Sequence, residues 1–394
     1  RLIRVRADEL RPGDWLPLLE RLPSPDEPQS AIELVDLLGA RLSDAEKPLW
    51  RVRALGLGKG IALKREALRA ASGDYSAGAL RVWERSESLP LHLLPLVGLD
   101  GCGPAEMGRG KRSGGMVRLL PSRQELDEDL GWFLGFYAGD GSSNGKMVRF
   151  GVGTSELECA ERLQRILRER FQLDSSCTKD PRARMVVVQA NSVALRRVLE
   201  AALGIGPASD KGKLIVPEVV LNGPSAVRHG FLAGLLASDG TVSKTRNTLA
   251  WTSADADFIH DIALLLGLEG LKYRLAFGRR MHRVELSDVD EVRRFASGDT
   301  LIEKHARALQ QQPGDASGRR SADIPTEESG LLALARRARC ARKTPRIDLA
   351  DAVPLETARV KLAQIEAAGR RLRPEDAPRL ERLPKRRQEG VVVV

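Results

Sequence analysis

Phe133-Leu134-Gly135-Phe136-Tyr137-Ala138-Gly139-Asp140-Gly141 and Leu232-Ala233-Gly234-Leu235-Leu236-Ala237-Ser238-Asp239-Gly240 are two versions of one pattern, apolar residues interrupted by small ones and closing on Asp-Gly. Their aspartates lie 99 residues apart. The stretches after the two copies also match: an extended segment (148–154; 248–253), an amphipathic helix pattern (155–171; 254–267), two strands around a basic turn (174–179 with 184–190; 271–277 with 281–286) and a closing helix from near Ser192 or Val289. Each half therefore reads helix, hairpin, helix, hairpin, helix, which predicts an α+β fold with two pseudo-symmetric halves.

Small residues recur in both repeat helices, Gly135, Ala138 and Gly139 in one and Ala233, Gly234 and Ala237 in the other. Such spacing lets two helix backbones approach closely. A glycine after each aspartate can take the left-handed conformation that stops a helix. The two aspartates then emerge side by side. Apposed carboxylates cannot both stay charged cheaply, and a divalent cation is the usual remedy. Magnesium, a hard ion with oxygen ligands and retained waters, suits Asp140 and Asp239 together with the backbone carbonyls of Gly139 and Ser238.

With its two motif copies and the shared element order after each, the stretch 125–300 resembles the LAGLIDADG homing endonucleases in their two-motif, single-chain form. The resemblance implies αββαββα repeats at about 125–205 and 225–300, whose sheets form a saddle over the DNA major groove. It also implies two or three Mg2+ ions, replaceable by Mn2+, held by Asp140 and Asp239 and used to hydrolyse both strands of a long specific site. The sixth motif position, commonly acidic in the family, is Ala138 here and Ala237 in the second copy. A catalytic lysine often precedes a hydrophobic-Pro element after each repeat. Lys211 and Lys213 precede Leu214-Ile215-Val216-Pro217, and Lys213 is the favoured candidate. The counterpart 321–325 offers only Arg319 and Arg320, while Lys146 and Lys244 are alternatives close after the aspartates.

Basic residues alternating on the strands, Arg149, Lys179, Arg246, Arg274 and Arg283, are expected to face DNA. Arg182 with Arg184, and Arg279 with Arg280, sit at hairpin turns. A net charge of +10 over 394 residues fits an acidic polymer as partner. Hydrophobic residues at 42% and charged residues at 29% exclude a wholly disordered chain. No apolar run is long enough for a membrane helix, so a soluble cytoplasmic protein is expected, and a monomer, because both motif copies share one chain. The four cysteines lack paired spacing and read as ordinary thiols; the five histidines form no metal pattern. The five tryptophans read as packing anchors.

Around the endonuclease-like body, residues 5–15 resemble the last block of the N-terminal half of an intein splicing domain, so 1–43 is expected to be a β-rich remnant. The flanking nucleophile, Thr-x-x-His and His-Asn blocks are not found, and splicing is not expected. Residues 44–98 read as basic and helical; 65–76 and 80–90 look similar to a helix-turn-helix reader, with Arg81 and Arg85 toward DNA. Six glycines mark 99–124 as a linker. The region 301–394 reads as a helical basic extension ending in a truncated strand, with Arg336, Arg337, Arg339, Arg342 and Lys343 toward phosphates. The leading function is a site-specific, intein-derived DNA endonuclease. The alternatives are a catalytically degenerate DNA-binding protein, such as a regulator or splicing cofactor, and a fragment of a self-splicing intein.

Overall fold

The structure is a computed structural model that describes residues 28–71, 73, 75–110, 119–180, 184–204, 214–243, 248–278, 280–296 and 301–310. All of them fall in a compact unit spanning 20–313.

An N-terminal module comprises β1 (Ala31–Glu33), α1 (Leu34–Arg41), β2 (Trp50–Ala54), α2 (Leu57–Leu63), α3 (Arg65–Ala71), α4 (Ala77–Ser86), β3 (Ser88–Pro90), α5 (Leu94–Val97), β4 (Ala105–Arg109), β5 (Leu120–Pro121) and β6 (Arg123–Glu125). Its main sheet runs β3-β2-β4-β5, and β1 pairs with β6. Three sequence expectations change here. The glycine-rich 99–124 stretch is not a plain linker: β4, β5 and the start of β6 lie in it, because Met107 and Leu120 supply buried side chains to the sheet. The 44–98 segment is mixed rather than helical, since the alternation of Trp50, Val52 and Ala54 buries one face of a central strand. In the 1–43 segment, the described part carries the helix α1, whose Leu34, Val35 and Leu38 are buried at helical spacing; residues 1–27 lie outside the described residues.

The first half-unit comes next, with α6 (Glu128–Asp140), β7 (Gly141–Asn144), β8 (Met147–Gly153), α7 (Leu157–Glu169), β9 (Ser175–Asp180), β10 (Met185–Asn191) and α8 (Val193–Arg197), which continues into a π turn at Val198–Ala202. After α9 (Glu218–Leu221), the second repeats the plan: α10 (Ser225–Asp239), β11 (Thr241–Val242), β12 (Leu249–Ser253), α11 (Ala256–Leu268), β13 (Arg274–Phe277), β14 (His282–Leu286) and α12 (Val289–Phe295). A last helix, α13 (Glu303–Gln310), closes the described chain. The sheets have the same antiparallel order, β7-β8-β10-β9 and β11-β12-β14-β13. The fold is α+β, as the repeat predicts.

Local chemistry fixes where several helices begin. Asp127 accepts from Leu130 N at 2.9 Å, Ser192 from Leu195 N at 3.1 Å, Asp255 from Asp257 N at 2.9 Å and Asp288 from Asp290 N at 2.8 Å, each satisfying an orphan donor of a first turn. In each half the sheet buries one face on the helices. Val148, Phe150, Val152, Val186, Val188 and Ala190 form the inner face of the first, and Leu249, Trp251, Val284 and Leu286 that of the second. Phe150 meets Phe133 and Tyr137 of α6, and the Trp251 indole donates to Leu232 O of α10 at 3.2 Å. Trp50, Trp83, Trp132 and Trp251 are all buried, as packing anchors should be.

The two motif helices α6 and α10 pack through main-chain atoms. A Cβ built on Gly131 would come within 2.9 Å of Phe231 N, one on Gly135 within 2.8 Å of Leu235 N, and one on Gly234 within 2.9 Å of Phe136 N. Gly230 likewise faces the Glu128 carbonyl. The seam is therefore Gly131, Gly135 and Gly139 against Gly230, Gly234 and Ser238. The sequence pattern does not single out Gly131 and Gly230, because each precedes its recognised motif. Ala138, Ala233 and Ala237 are buried beside the seam. The Asp-Gly helix ends also differ from expectation. Gly141 and Gly240 adopt extended conformations (φ −80° and −78°) rather than left-handed ones, so each helix runs directly into its first strand.

Candidate metal and nucleic-acid site

Asp140 and Asp239 are the last residues of α6 and α10. The seam sets their spacing: a Cβ on Gly139 would be 2.8 Å from Ser238 Cβ and 3.4 Å from Asp239 Cβ. The main chains bring the helix ends together, and both aspartates reach solvent, although the atoms packed around Asp140 still strip part of its carboxyl's hydration. The Asp140 carboxyl is pushed up to about 6, first by lost hydration, then by the negative charge of Asp239 and then by that of Glu156. Two helix C-termini add partial negative charge at the same place. Such an excess of negative potential is a preformed attraction for a divalent ion.

The donor set fits magnesium. The penultimate carbonyls of Gly139 and Ser238 have no intrahelical N–H to accept from, because each helix ends one residue later. The Ser238 hydroxyl is occupied within its helix, donating to Gly234 O at 3.2 Å and Leu235 O at 3.1 Å, so its backbone oxygen is the available ligand. Among the described residues no group of three or more His, Cys, Asp or Glu side chains forms a closed cage. Magnesium is usually held by one or two carboxylates and completed by water and phosphate oxygens.

Sequence reasoning misses Glu156 and Lys304. Glu156, just before α7, receives Lys304 Nζ of α13 at 2.7 Å, and Glu158 receives the Glu303 backbone N–H at 2.7 Å. A signal exists: the position 99 residues after Glu156 is Asp255, also acidic and also at the head of the helix that comes after the hairpin. Asp255 caps its helix, whereas Glu156 makes no such cap and turns to the lysine.

Strand register sorts the proposed DNA contacts. In the first sheet Ser142, Arg149 and Gln189 lie in register on the face away from the helices, flanked by Asn144, Asn191, Ser176 and Thr178. Arg149 Nε donates to Gln189 Oε1 at 2.9 Å. In the second, Thr252, Arg283, Ala276, Glu285 and Arg274 share the outer face, with Arg283 paired to Glu285 at 2.9 Å. Each sheet thus has an apolar inner face; the outer face of the first is rich in hydroxyl, amide and guanidinium groups, and that of the second carries hydroxyls, two arginines, alanines and Glu285. Arg184 and Arg280 are exposed beside the strands they introduce or join.

Two assignments move. Lys179 stands opposite Val186, whose side chain is buried, so it belongs to the helix-facing side of edge strand β9. Alternation along β9 has the opposite phase from the one a DNA-facing lysine needs. Lys146 is exposed in the β7–β8 turn, about 10 Å along the strand from Gly141, too far to serve the aspartates directly. Lys211, Lys213, Lys244, Arg182, Arg246 and Arg279 lie outside the described residues. On α4, Arg81 and Arg85 are exposed and Trp83 is buried. Among the thiols, Cys177 is exposed and Cys159, pushed up to about 12 mainly by burial, is an inert core residue.

Residues 226–298, from α10 through α12, match the LAGLIDADG-like domain family. Similar solved structures include the N-terminal LAGLIDADG domain of DUF199/WhiA (14% identity, 46% of this chain and 87% of that one, TM-score 0.33) and full-length DUF199/WhiA from Thermatoga maritima (13%, 66% and 90%, TM-score 0.34). Another is I-DmoI in complex with DNA and Mn (14%, 44% and 96%, TM-score 0.34). No curated protein matches the chain.

Proposed function

We propose, from the match of residues 226–298 to the LAGLIDADG-like domain family together with the paired motif helices, that this chain is a site-specific DNA endonuclease that cuts both strands with a divalent metal. The observation that carries the reading is the pair Asp140 and Asp239, brought together by main-chain packing of α6 on α10. Asp140, Asp239 and the carbonyls of Gly139 and Ser238 would hold the metal, as Mg2+ or in its place Mn2+. When bound, such an ion stabilises charge on a phosphate and lowers the pKa of a water. The outer sheet faces place the duplex: Arg149, Arg274 and Arg283, with the neighbouring Ser, Thr, Asn and Gln side chains, offer donors and acceptors suited to groove edges and phosphates. Lys213 remains the proposed catalytic lysine. Both acids come from one chain, so a monomer is the proposed working form. The intein origin rests on the resemblance of residues 5–15 alone. No described helix is long and apolar enough to cross a membrane.

The test is cleavage of a randomised duplex library with and without magnesium. The expected result is metal-dependent cutting at one long site, lost in Asp140→Asn and Asp239→Asn while binding persists. Undiminished cutting by either variant would sink the assignment. A second reading, a DNA-binding protein without catalysis, is favoured by the missing lysine at 321–325. Salt-sensitive binding with no cleavage of the bound site would decide for it.

A further inference from the structure

The helix α4 presents a narrow exposed stripe of Gly78, Arg81, Val82 and Arg85, spaced as one helical face. The opposite face is buried through Leu80 and Trp83. The helix is rigidly mounted. A Cβ on Gly58 of α2 would stand 2.5 Å from Glu84 O, so those two helices touch through backbone. The Trp83 ring meets Tyr75 edge-on at 4.9 Å, and the Arg51 guanidinium of β2 sits 5.2 Å from its centroid.

Charge on this helix is sorted. Glu84 is ion-paired with Arg65 of α3. Glu87, just past the helix end, turns back to accept from Gly56 N at 2.8 Å. Both acids are thereby neutralised or capped. Arg81 and Arg85 make no hydrogen bond or ion pair among the described residues. Val82 adds an apolar surface between them, 50% exposed.

We infer that α4 is a second DNA-reading element, which enters the major groove of duplex flanking the site covered by the two sheets. The inference rests on the DNA-binding reading above and extends it to a module outside the repeats. The major groove admits a helix, a guanidinium bridges guanine O6 and N7, and an exposed aliphatic side chain meets the thymine methyl. Two unpaired arginines flanking an exposed valine on a fixed helix supply that combination. An acidic partner protein would engage the charges, but it would give no preference for a base sequence.

The test selects duplexes from a randomised library with the full chain, in an Asp140→Asn background so that bound DNA survives. The expected parental site is long. Arg81→Ala/Arg85→Ala should lose a block of about three or four base pairs at one end and bind the parental site about 10- to 100-fold more weakly. Arg149→Ala/Arg283→Ala should blur only the central part. Arg81, Arg85 and Arg149 are exposed and Arg283 is half-buried beside Glu285, so a thermal melt of each variant accompanies the selection to show that it is folded. An α4 variant that enriches the same site with the same affinity overturns the inference. If the sheet variant changes nothing while the α4 variant loses its block, α4 reads DNA and the sheet assignment fails. Absence of any enriched duplex overturns both.

Discussion

Gly135 and Leu235 meet through main-chain atoms: a Cβ on the glycine would stand 2.8 Å from the leucine nitrogen, and closer still to the carbonyl oxygen of Phe231. No rotamer change can relieve that contact, because backbone lies on both sides. Gly135→Ala should therefore cost about 3 kcal/mol or more and separate the aspartates. The matched control is Gly39→Ala in α1, where nothing lies within 4 Å of the new carbon. Helix propensity alone should make that change stabilising, by about 0.5–1 kcal/mol. Denaturant melts of both variants check the contrast; equal and small effects would mean that the helix pair is looser than backbone contact requires.

In metal-free protein the raised Asp140 carboxyl predicts a pH-dependent cost. Its folded value, about 6, exceeds the ordinary 3.8, so the penalty grows as pH rises between these values and is complete above them. Asp140→Asn should thus be more stable than the parent at pH 7, by below about 1 kcal/mol because the exposed group is screened, with the gap closing toward pH 4. Thermal melts across that range in EDTA test the sign. A gap that widens on acidification would contradict it.

His305 of α13 is buried and pushed down to about 4, first by lost hydration and then by Lys304, with Glu156 opposing. A histidine held neutral in the fold contributes its stability above its ordinary value of 6.5 and loses it as pH falls toward 4. Over that interval α13 should loosen, by an effect of about 2–3 kcal/mol, and His305→Leu should remove the dependence. Hydrogen exchange at the amides of residues 303–310, compared at pH 7 and pH 5, is the readout.

Arg228 and Glu269 form a buried pair at 2.6 Å, with side chains 2% and 9% exposed, and Arg228 also donates to Gly223 O at 2.6 Å. Glu269→Ala would strand a buried guanidinium and should destabilise by about 3–5 kcal/mol. Replacing both by Arg228→Met/Glu269→Leu should recover a large part of the loss. If the double variant is worse than the sum of the singles, packing rather than charge dominates there.

Arg149→Ala should relax preference at one central base pair with little change in salt slope; uniform weakening on all duplexes with the slope lowered by about 1 would assign its contact to a phosphate.

Legibility in the sequence depends on whether a signal is local. The Asp-Gly pair and its small residues carry their meaning within nine positions, and the strands after them alternate visibly, so the repeat and both aspartates can be read. Lys179 cannot be placed that way, because the face of an edge strand is fixed by its partner Val186, not by its own neighbours. Glu156 acquires its role from Lys304, 148 residues away. The N-terminal sheet is hidden for another reason. Glycine density in 99–124 suggests flexibility, yet among the described residues Gly103 abuts Leu55 and Met107 is core, so part of the stretch is packed into the sheet.

The glycine seam has a consequence for divergence. Since peptide planes at Gly131, Gly135, Gly230 and Gly234 set the approach of α6 to α10, the hydrophobic interior around them can be exchanged residue by residue with little effect on the spacing of the acids. The outer strands can drift independently as well. The molecule separates a fixed gauge at its centre from two rewritable surfaces, so on the proposed nuclease reading a new target sequence would be acquired while the cutting distance stays the same.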